Sequence, residues 1–215
     1  VVTNEKRPYR MTKRAQAEEE TRRRITQSTV ELHEALGPSR TSVSAIAAHA
    51  GVRRSTVYRH FPDELALFTA CTAHWMAANP PPDPSPWVSI EDADLRLCAA
   101  LGALYPYYRR TQQMMENIHR DEGIMPLVKQ MMGGYRGYLE GLRDLLMRDR
   151  APAIAQHRAV SAAIGHALSF PVWRSMAVEQ SLSDEECTDL MCCLVQVAQS
   201  PESKLRQAVS PLRSH

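Results

Sequence analysis

Between Thr41 and Phe61 the sequence reads TSVSAIAAHAGVRRSTVYRHF, and the stretch 53–60 concentrates Arg53, Arg54, Ser55, Thr56, Tyr58, Arg59 and His60 around the single aliphatic residue Val57. Guanidinium forks match the paired acceptors of guanine edges and phosphates, hydroxyls bond either kind of group, and a phenol or imidazole reaches a phosphate oxygen. These side chains together suit the recognition of double-stranded DNA. A turn that merely joined two helices would have no use for them.

Positioning such groups takes two short helices and a sharp turn. Val43, Ile46, Ala47 and Ala50 fall at i, i+3, i+4 and i+7, which predicts a helix over 43–50 with one buried face, and Thr41 and Ser42 offer its N-cap. Gly51-Val52 breaks that helix. A second helix over 54–61 then carries the polar array outward, with Val57 and Phe61 turned in, before Pro62. A helix over 15–36 precedes the pair, with Ile25, Leu32 and Leu36 on one stripe that Ser28 and Thr29 dilute, and Gly37-Pro38 stops it. A helix over 63–78 follows, with Leu65, Phe68, Cys71 or Thr72, and Trp75 inward.

Charge is divided along the chain in the same sense. The net charge is only +2, but residues 1–62 hold 12 Lys and Arg against 6 Glu, while the remainder carries a net −4. A basic end is the electrostatic footprint of a polyanion partner. Lys6, Arg7, Arg10, Lys13 and Arg14 lie within residues 1–14, a stretch expected to be a flexible basic arm able to enter a minor groove.

The rest of the chain shows helical periodicity without convincing strands, so the expected fold is all-α, with about nine helices: an N-terminal three-helix helix-turn-helix domain and a C-terminal helical ligand-binding and dimerisation domain. The stretch NPPPDPSPW at 79–87 cannot continue a helix and is expected to be an extended linker over 80–88, separating residues 15–62 and the connecting helix 63–79 from a domain over 89–199. Within that domain one helix starts near 90, capped by Ser89, and ends near Pro106; a short one covers 111–121; a strongly apolar one follows Pro126; another runs from Pro152 to 176 with an interruption at Pro171. Ser183 and Glu186 form a capping box for the last helix, to about 199, and 200–215 reads as a flexible tail.

The central segment resembles the TetR-family signature, T-[ST]-V-x-x-I-A-x-x-A-G-V followed by [TS]-[LV]-Y-x-H-F. Thr41, Ser42, Val43, Ile46, Ala47, Ala50, Gly51, Val52, Thr56, Val57, Tyr58, His60 and Phe61 match it in order and spacing. The resemblance implies a DNA-binding transcriptional regulator, a homodimeric repressor that leaves a palindromic operator when a small, largely apolar ligand binds. Arg53, Arg54, Ser55 and Thr56 would face bases; Tyr58 and His60 would hold phosphates, with Arg59 beside them; and Thr41, Ser42 and Ser44 would touch the backbone. Four positions depart from the pattern, one being Pro38, which stands where an aromatic residue is common. His33 stands where members usually carry Phe, Glu64 stands where a phosphate-binding Lys is frequent, and Arg53 replaces a frequent Ser and so loses an N-cap.

Family members use the C-terminal helices to hold a ligand and to dimerise. Met114, Met115, Met131, Met132, Tyr105, Tyr108, Tyr135 and Trp173 are the candidate lining for an apolar or aromatic molecule, with His119 and His166 as polar handles; ordinary core is the competing reading of the same residues. Ala159, Ala163, Ala167, Leu190, Leu194 and Val197 on the last two long helices are the candidate dimer interface. Two subunits would bring two recognition helices to half-sites about 34 Å apart, or a multiple of that.

Several function classes are excluded. The chain holds no H-E-x-x-H, Walker loop or G-x-S-x-G, so no catalytic residue is nominated, and no cofactor or metal is implied. No apolar run approaches the roughly 18 residues of a membrane span, and the basic start is followed by no apolar segment, so a cytoplasmic protein is expected. Cys71, Cys98, Cys187, Cys192 and Cys193 make an odd count without a C-x-x-C pair and are read as reduced thiols. Two alternatives remain open: a thiol- or metal-responsive regulator working through the cysteines near the C-terminus, and a DNA-binding protein without a ligand.

Overall fold

The computed structural model describes residues 6–150 and 154–200, all helix and connecting turns, with no strand among them. Ten α-helices follow one another: α1 (Lys6–Leu36), α2 (Val43–His49), α3 (Arg54–His60), α4 (Glu64–Ala78), α5 (Ser85–Val88), α6 (Ala93–Glu122), α7 (Pro126–Met147), α8 (Ile154–Ala167), α9 (Phe170–Arg174) and α10 (Asp184–Gln199). The expected tail from 201 onward, Pro152 and the first five residues of the N-terminal arm lie outside the described residues, whereas residues 6–14, expected to belong to that flexible arm, form the first turns of α1.

The chain divides into two compact units. One holds the described residues up to Pro80 together with Gln113–Met132; the other holds Pro81–Gln112 and the described residues from Gly133 onward. In the first, Ile25, Ile46, Ala47, Ala50, Val57, Phe61 and Leu67 form the core that α1 to α4 share. Its composition explains the short helices. A seven-residue helix is unstable alone, and burial of one face of α2 and of Val57 on α3 supplies what propensity does not. Val30, Cys71 and Met114 form a second cluster in the same unit.

Helix faces differ in detail from the periodicity reading. On α1 the buried residues include Thr26, Ser28, Thr29 and His33, whereas Leu36 is 44% exposed. The Thr29 hydroxyl donates to the Ile25 carbonyl at 2.8 Å, so its polar group is satisfied inside the helix and the side chain packs as an apolar one. On α4 the inward face is Leu67, Phe68 and Cys71, and Leu65, expected inside, is 45% exposed.

Prolines account for the remaining differences. Within 80–88, expected to be extended, α5 forms with Pro86 in its first turn, where a missing N–H costs nothing, and buries Trp87. The cap of α6 is Asp92 rather than Ser89: its Oδ1 accepts from the amides of Asp94 and Leu95 at 2.8 and 2.9 Å. Pro106, expected to end that helix, lies inside a continuous α6. The ring removes one backbone bond, at a cost of about 3 kcal/mol, but Leu97, Leu101, Leu104, Tyr105 and Tyr108 are fully buried along the helix and offset it. Pro171 instead sits in the first turn of α9, so the break falls just before it, and a π-helical turn over Ser175–Glu179 follows.

Two buried arginines tie the second unit together. Arg96 donates to the carbonyls of Ile90 and Arg148 and to Asp149, and Arg150 to Ala93, Leu146, Asp94 and Gln199. Each charge thus lies among acceptors, although Arg96 Nε is buried without a hydrogen bond among the described residues.

Candidate nucleic-acid interface

The turn that aims α3 is built from Gly51, whose φ of 63° suits a residue without a Cβ. Ser42 caps α2 by accepting the Ala45 amide at 3.1 Å, and α3 begins at Arg53 with no side-chain cap, as its sequence implied. At its other end α3 is held from α1. Arg22 Nη1 donates to the His60 carbonyl at 2.8 Å while its guanidinium lies 4.3 Å from the Phe61 ring centroid. Arg22 had no periodicity or motif to mark it.

Outward from this frame, Ser42, Ser44, Arg53, Arg54, Ser55, Tyr58 and Arg59 are exposed, and Thr41, Thr56 and His60 are half-buried. Arg53 and Arg59 make no ion pair among the described residues. Arg54 Nη2 donates to the Tyr58 hydroxyl at 3.0 Å, with its guanidinium 5.5 Å from that ring, so the two form one unit. The Thr41 hydroxyl donates to the Gly37 carbonyl at 2.8 Å. His60 is set apart: its Nε2 is screened from solvent without a hydrogen bond among the described residues, and burial with the charges of Arg59 and Arg22 holds its pKa below the usual value. A neutral, inward imidazole nitrogen is a poor phosphate ligand.

A pocket of about 340 Å³ opens between α2, α3 and α4, with Ser42, Ser44, Arg54, Tyr58 and Glu64 on its rim and Ile46, Leu67 and Phe68 below. Hydroxyls and a guanidinium at a concave mouth suit a phosphate oxygen; Glu64 opposes it while favouring the N-terminus of α4, which Asp63 caps through the Ala66 amide at 2.7 Å.

Beneath the surface, α6 clasps the end of α1. Asn117 Nδ2 donates to the carbonyls of His33 and Glu34, Arg120 Nη2 to that of Leu36, and Asp121 accepts the Ser39 amide at 2.8 Å. Gly37, with φ of 93°, makes this possible, since a Cβ there would collide with the Arg120 guanidinium. Sequence reasoning missed this clasp because its halves lie more than eighty positions apart. His33 sits inside, its ring centroid 4.9 Å from that of Phe68 and its Nδ1 3.8 Å from Cys71 Sγ; burial pushes its pKa down to about 4 against the opposing charge of Asp121.

Residues 25–71 match the family model described as bacterial regulatory proteins, tetR family. The chain carries a TetR-family helix-turn-helix DNA-binding domain. Solved TetR-type structures extend the likeness of fold beyond it. A TetR-like transcriptional regulator from Rhodococcus sp. RHA1 superposes with a TM-score of 0.61 at 16% identity, over 85% of this chain and 97% of that one. A protein of Mesorhizobium loti MAFF303099, assigned to the TetR family of transcriptional regulators, gives 0.58 at 17% identity, over 84% and 96%. A Clostridium perfringens protein described as a fatty acid metabolism regulator gives 0.57 at 12%, over 83% and 100%. Comparison by sequence with curated proteins gives no significant match.

The ligand candidates divide between the two units. Met114, Met115, His119, Met131 and Met132 belong to the first, and Met114 packs there against the Val30 and Cys71 cluster. Tyr105, Tyr108, Tyr135, His166 and Trp173 belong to the second, where His166 is exposed. Tyr108 is the hub of that group: its hydroxyl donates to the Leu168 carbonyl at 2.6 Å and accepts from Tyr135 at 2.8 Å, with Phe170 and Trp173 rings against it. Of the dimer candidates, Leu190, Leu194 and Val197 are exposed by 48, 40 and 51%, Ala159 is half-buried, and Ala163 and Ala167 are buried within the chain.

The cysteine reading needs correction. Cys98 on α6 and Cys192 on α10 are joined as a disulfide with a Cα–Cα distance of 6.1 Å, while Cys71, Cys187 and Cys193 are free. A pairing across 94 residues leaves no local spacing to detect. Among the described residues no group of three or more His, Cys, Asp or Glu is placed to hold a metal ion, and no helix is long and apolar enough to cross a membrane.

Proposed function

We propose that this TetR-family regulator is a cytoplasmic homodimeric repressor that grips a palindromic operator with two copies of α3 and releases it when a small, largely apolar ligand binds the C-terminal helices. The observation that carries the reading is the exposed face of α3, where Arg53, the Arg54–Tyr58 unit and Arg59 present uncompensated donors on a helix whose other face is locked into the core.

Dimerisation is supported by Leu190, Leu194 and Val197, an apolar stripe at i, i+4 and i+7 on the exposed side of α10. The ligand would be an apolar or aromatic molecule seated at the Tyr105, Tyr108, Tyr135 and Trp173 cluster, where tyrosine hydroxyls can exchange their internal partners for a polar group of the guest. Binding there would act on DNA by favouring one of two arrangements of the recognition helices.

The test is a thermal-shift screen of apolar and aromatic metabolites, followed by titration of any stabilising compound into the operator complex. A compound that raises the melting temperature and dissociates the complex supports the reading. A screen without hits, on a protein that binds its operator, reduces the assignment to a DNA-binding protein without a ligand.

A further inference from the structure

We propose that Cys98 and Cys192 are a peroxide-oxidisable dithiol, and that closing their disulfide alters DNA affinity. The inference rests on the DNA-binding reading, because DNA is handled in a compartment kept reducing, where a protein disulfide is most often a transient, sensing one.

The pair is held in register by its neighbours. Helices α6 and α10 run antiparallel: Gln196 Nε2 donates to Asp94 at 3.2 Å on one side of the pair, and Arg109 binds Asp184 through two bonds of 2.8 and 2.9 Å on the other. One turn on from Asp94, and one turn back from Gln196, stand Cys98 and Cys192. The two sulfurs are therefore brought face to face by contacts that do not depend on the bond between them, at a Cα separation of 6.1 Å that a disulfide spans.

Their environments differ in the way a sensing pair requires. Cys98 is half-buried and within reach of a small hydroperoxide; Cys192 is buried and positioned to resolve. The Cys98 thiolate attacks one peroxide oxygen, the O–O bond breaks, and the other oxygen leaves as alkoxide or hydroxide and takes up a proton. The sulfur, oxidised by two electrons, becomes a sulfenic acid as the peroxide is reduced. Cys192 then displaces the hydroxyl as water, forming the S–S bond. Cys193 is exposed but lies about 100° round the helix from Cys192, away from Cys98.

The consequence for DNA follows from α6 being one helix. Its N-terminal half carries Cys98, and its C-terminal half carries Asn117, Arg120 and Asp121, which cap the end of α1 in the DNA-binding unit. A covalent tie to α10 restrains the element on which that clasp is built.

The experiment uses the full chain, reduced and then treated with hydrogen peroxide, with free thiols blocked before peptide mapping. The expected product is a peptide pair linked through Cys98 and Cys192 within one chain, reversed by dithiothreitol. On DNA selected with reduced protein, affinity should differ at least about fivefold between the two forms, and C98S and C192S should each abolish the difference while C193S keeps it. Over-oxidation of Cys98 without linkage, linkage through Cys193 between chains, or equal DNA affinities would each overturn the proposal. Reduced protein that selects no DNA defeats the underlying function instead, and the linked peptide is read independently of that result.

Discussion

Replacing His33 with Phe should remove an acid-sensitive component of stability from the DNA-binding unit. The imidazole is 4% exposed, packed on Phe68 and Cys71, and it stays neutral down to about pH 4, whereas in the unfolded chain it titrates near 6.5. Between those values the unfolded state binds the extra proton, so stability is complete above about 6.5 and is lost as pH falls toward 4. At ~1.36 kcal/mol per pH unit, lowering pH from 8 to 4.5 withdraws about 2.5 kcal/mol through this one residue. Urea unfolding of the wild type and His33→Phe at both pH values isolates it, because His60, His119 and the carboxylates contribute equally to each protein. The variant should match or exceed wild type at pH 8 and lose about 2.5 kcal/mol less at pH 4.5. Parallel pH profiles would show that His33 is solvated or paired in its folded state, and the reasoning would fail.

Other substitutions test other parts. Arg54→Ala should cost about 1–3 kcal/mol in operator affinity, measured by fluorescence anisotropy, and relax preference at one base position per half-site; unchanged selectivity would remove Arg54 from the base-reading set. Arg22→Ala should lower the stability of the first unit by about 1–2 kcal/mol through loss of the His60 carbonyl bond and the Phe61 contact, and weaken DNA binding with it. Arg96→Met leaves the Ile90 and Arg148 carbonyls without their donor and should cost on the order of 3 kcal/mol in chemical denaturation; an unaffected midpoint would mean that solvent replaces the guanidinium. Leu194→Glu should shift the solution mass at micromolar concentration from dimer to monomer, and a dimer that persists would place the interface elsewhere.

What was legible in the sequence is what local physics decides. The turn at Gly51, the caps at Ser42 and Ser183 with Glu186, and the inward spacing of Ile46, Ala47 and Ala50, with Val43 partly buried beside them, each depend on residues within one or two turns, and each is found. Pro106 shows where local rules lose: the breaker signal is real, but a buried face from Leu97 to Tyr108 outweighs it, and nothing near Pro106 reveals that burial. Leu36 and Leu65 fit an apolar stripe yet face solvent, because the core takes the neighbouring stripe of Thr29, His33, Leu67 and Phe68. Long-range pairings were invisible for a plainer reason. The Arg22 bond to His60, the clasp of Asn117, Arg120 and Asp121 on α1, and the joining of Cys98 to Cys192 have no periodicity to announce them.

The proposed regulator reads DNA with α3 as one half of a two-fold pair. Selecting bound duplexes from a random pool with the full chain, then sequencing them, tests it most directly. The expected result is enrichment of one motif arranged as an inverted repeat, with half-site centres about 10 base pairs apart or a multiple of that. A selected pool with no shared motif, or a single motif without its inverted copy, would contradict it.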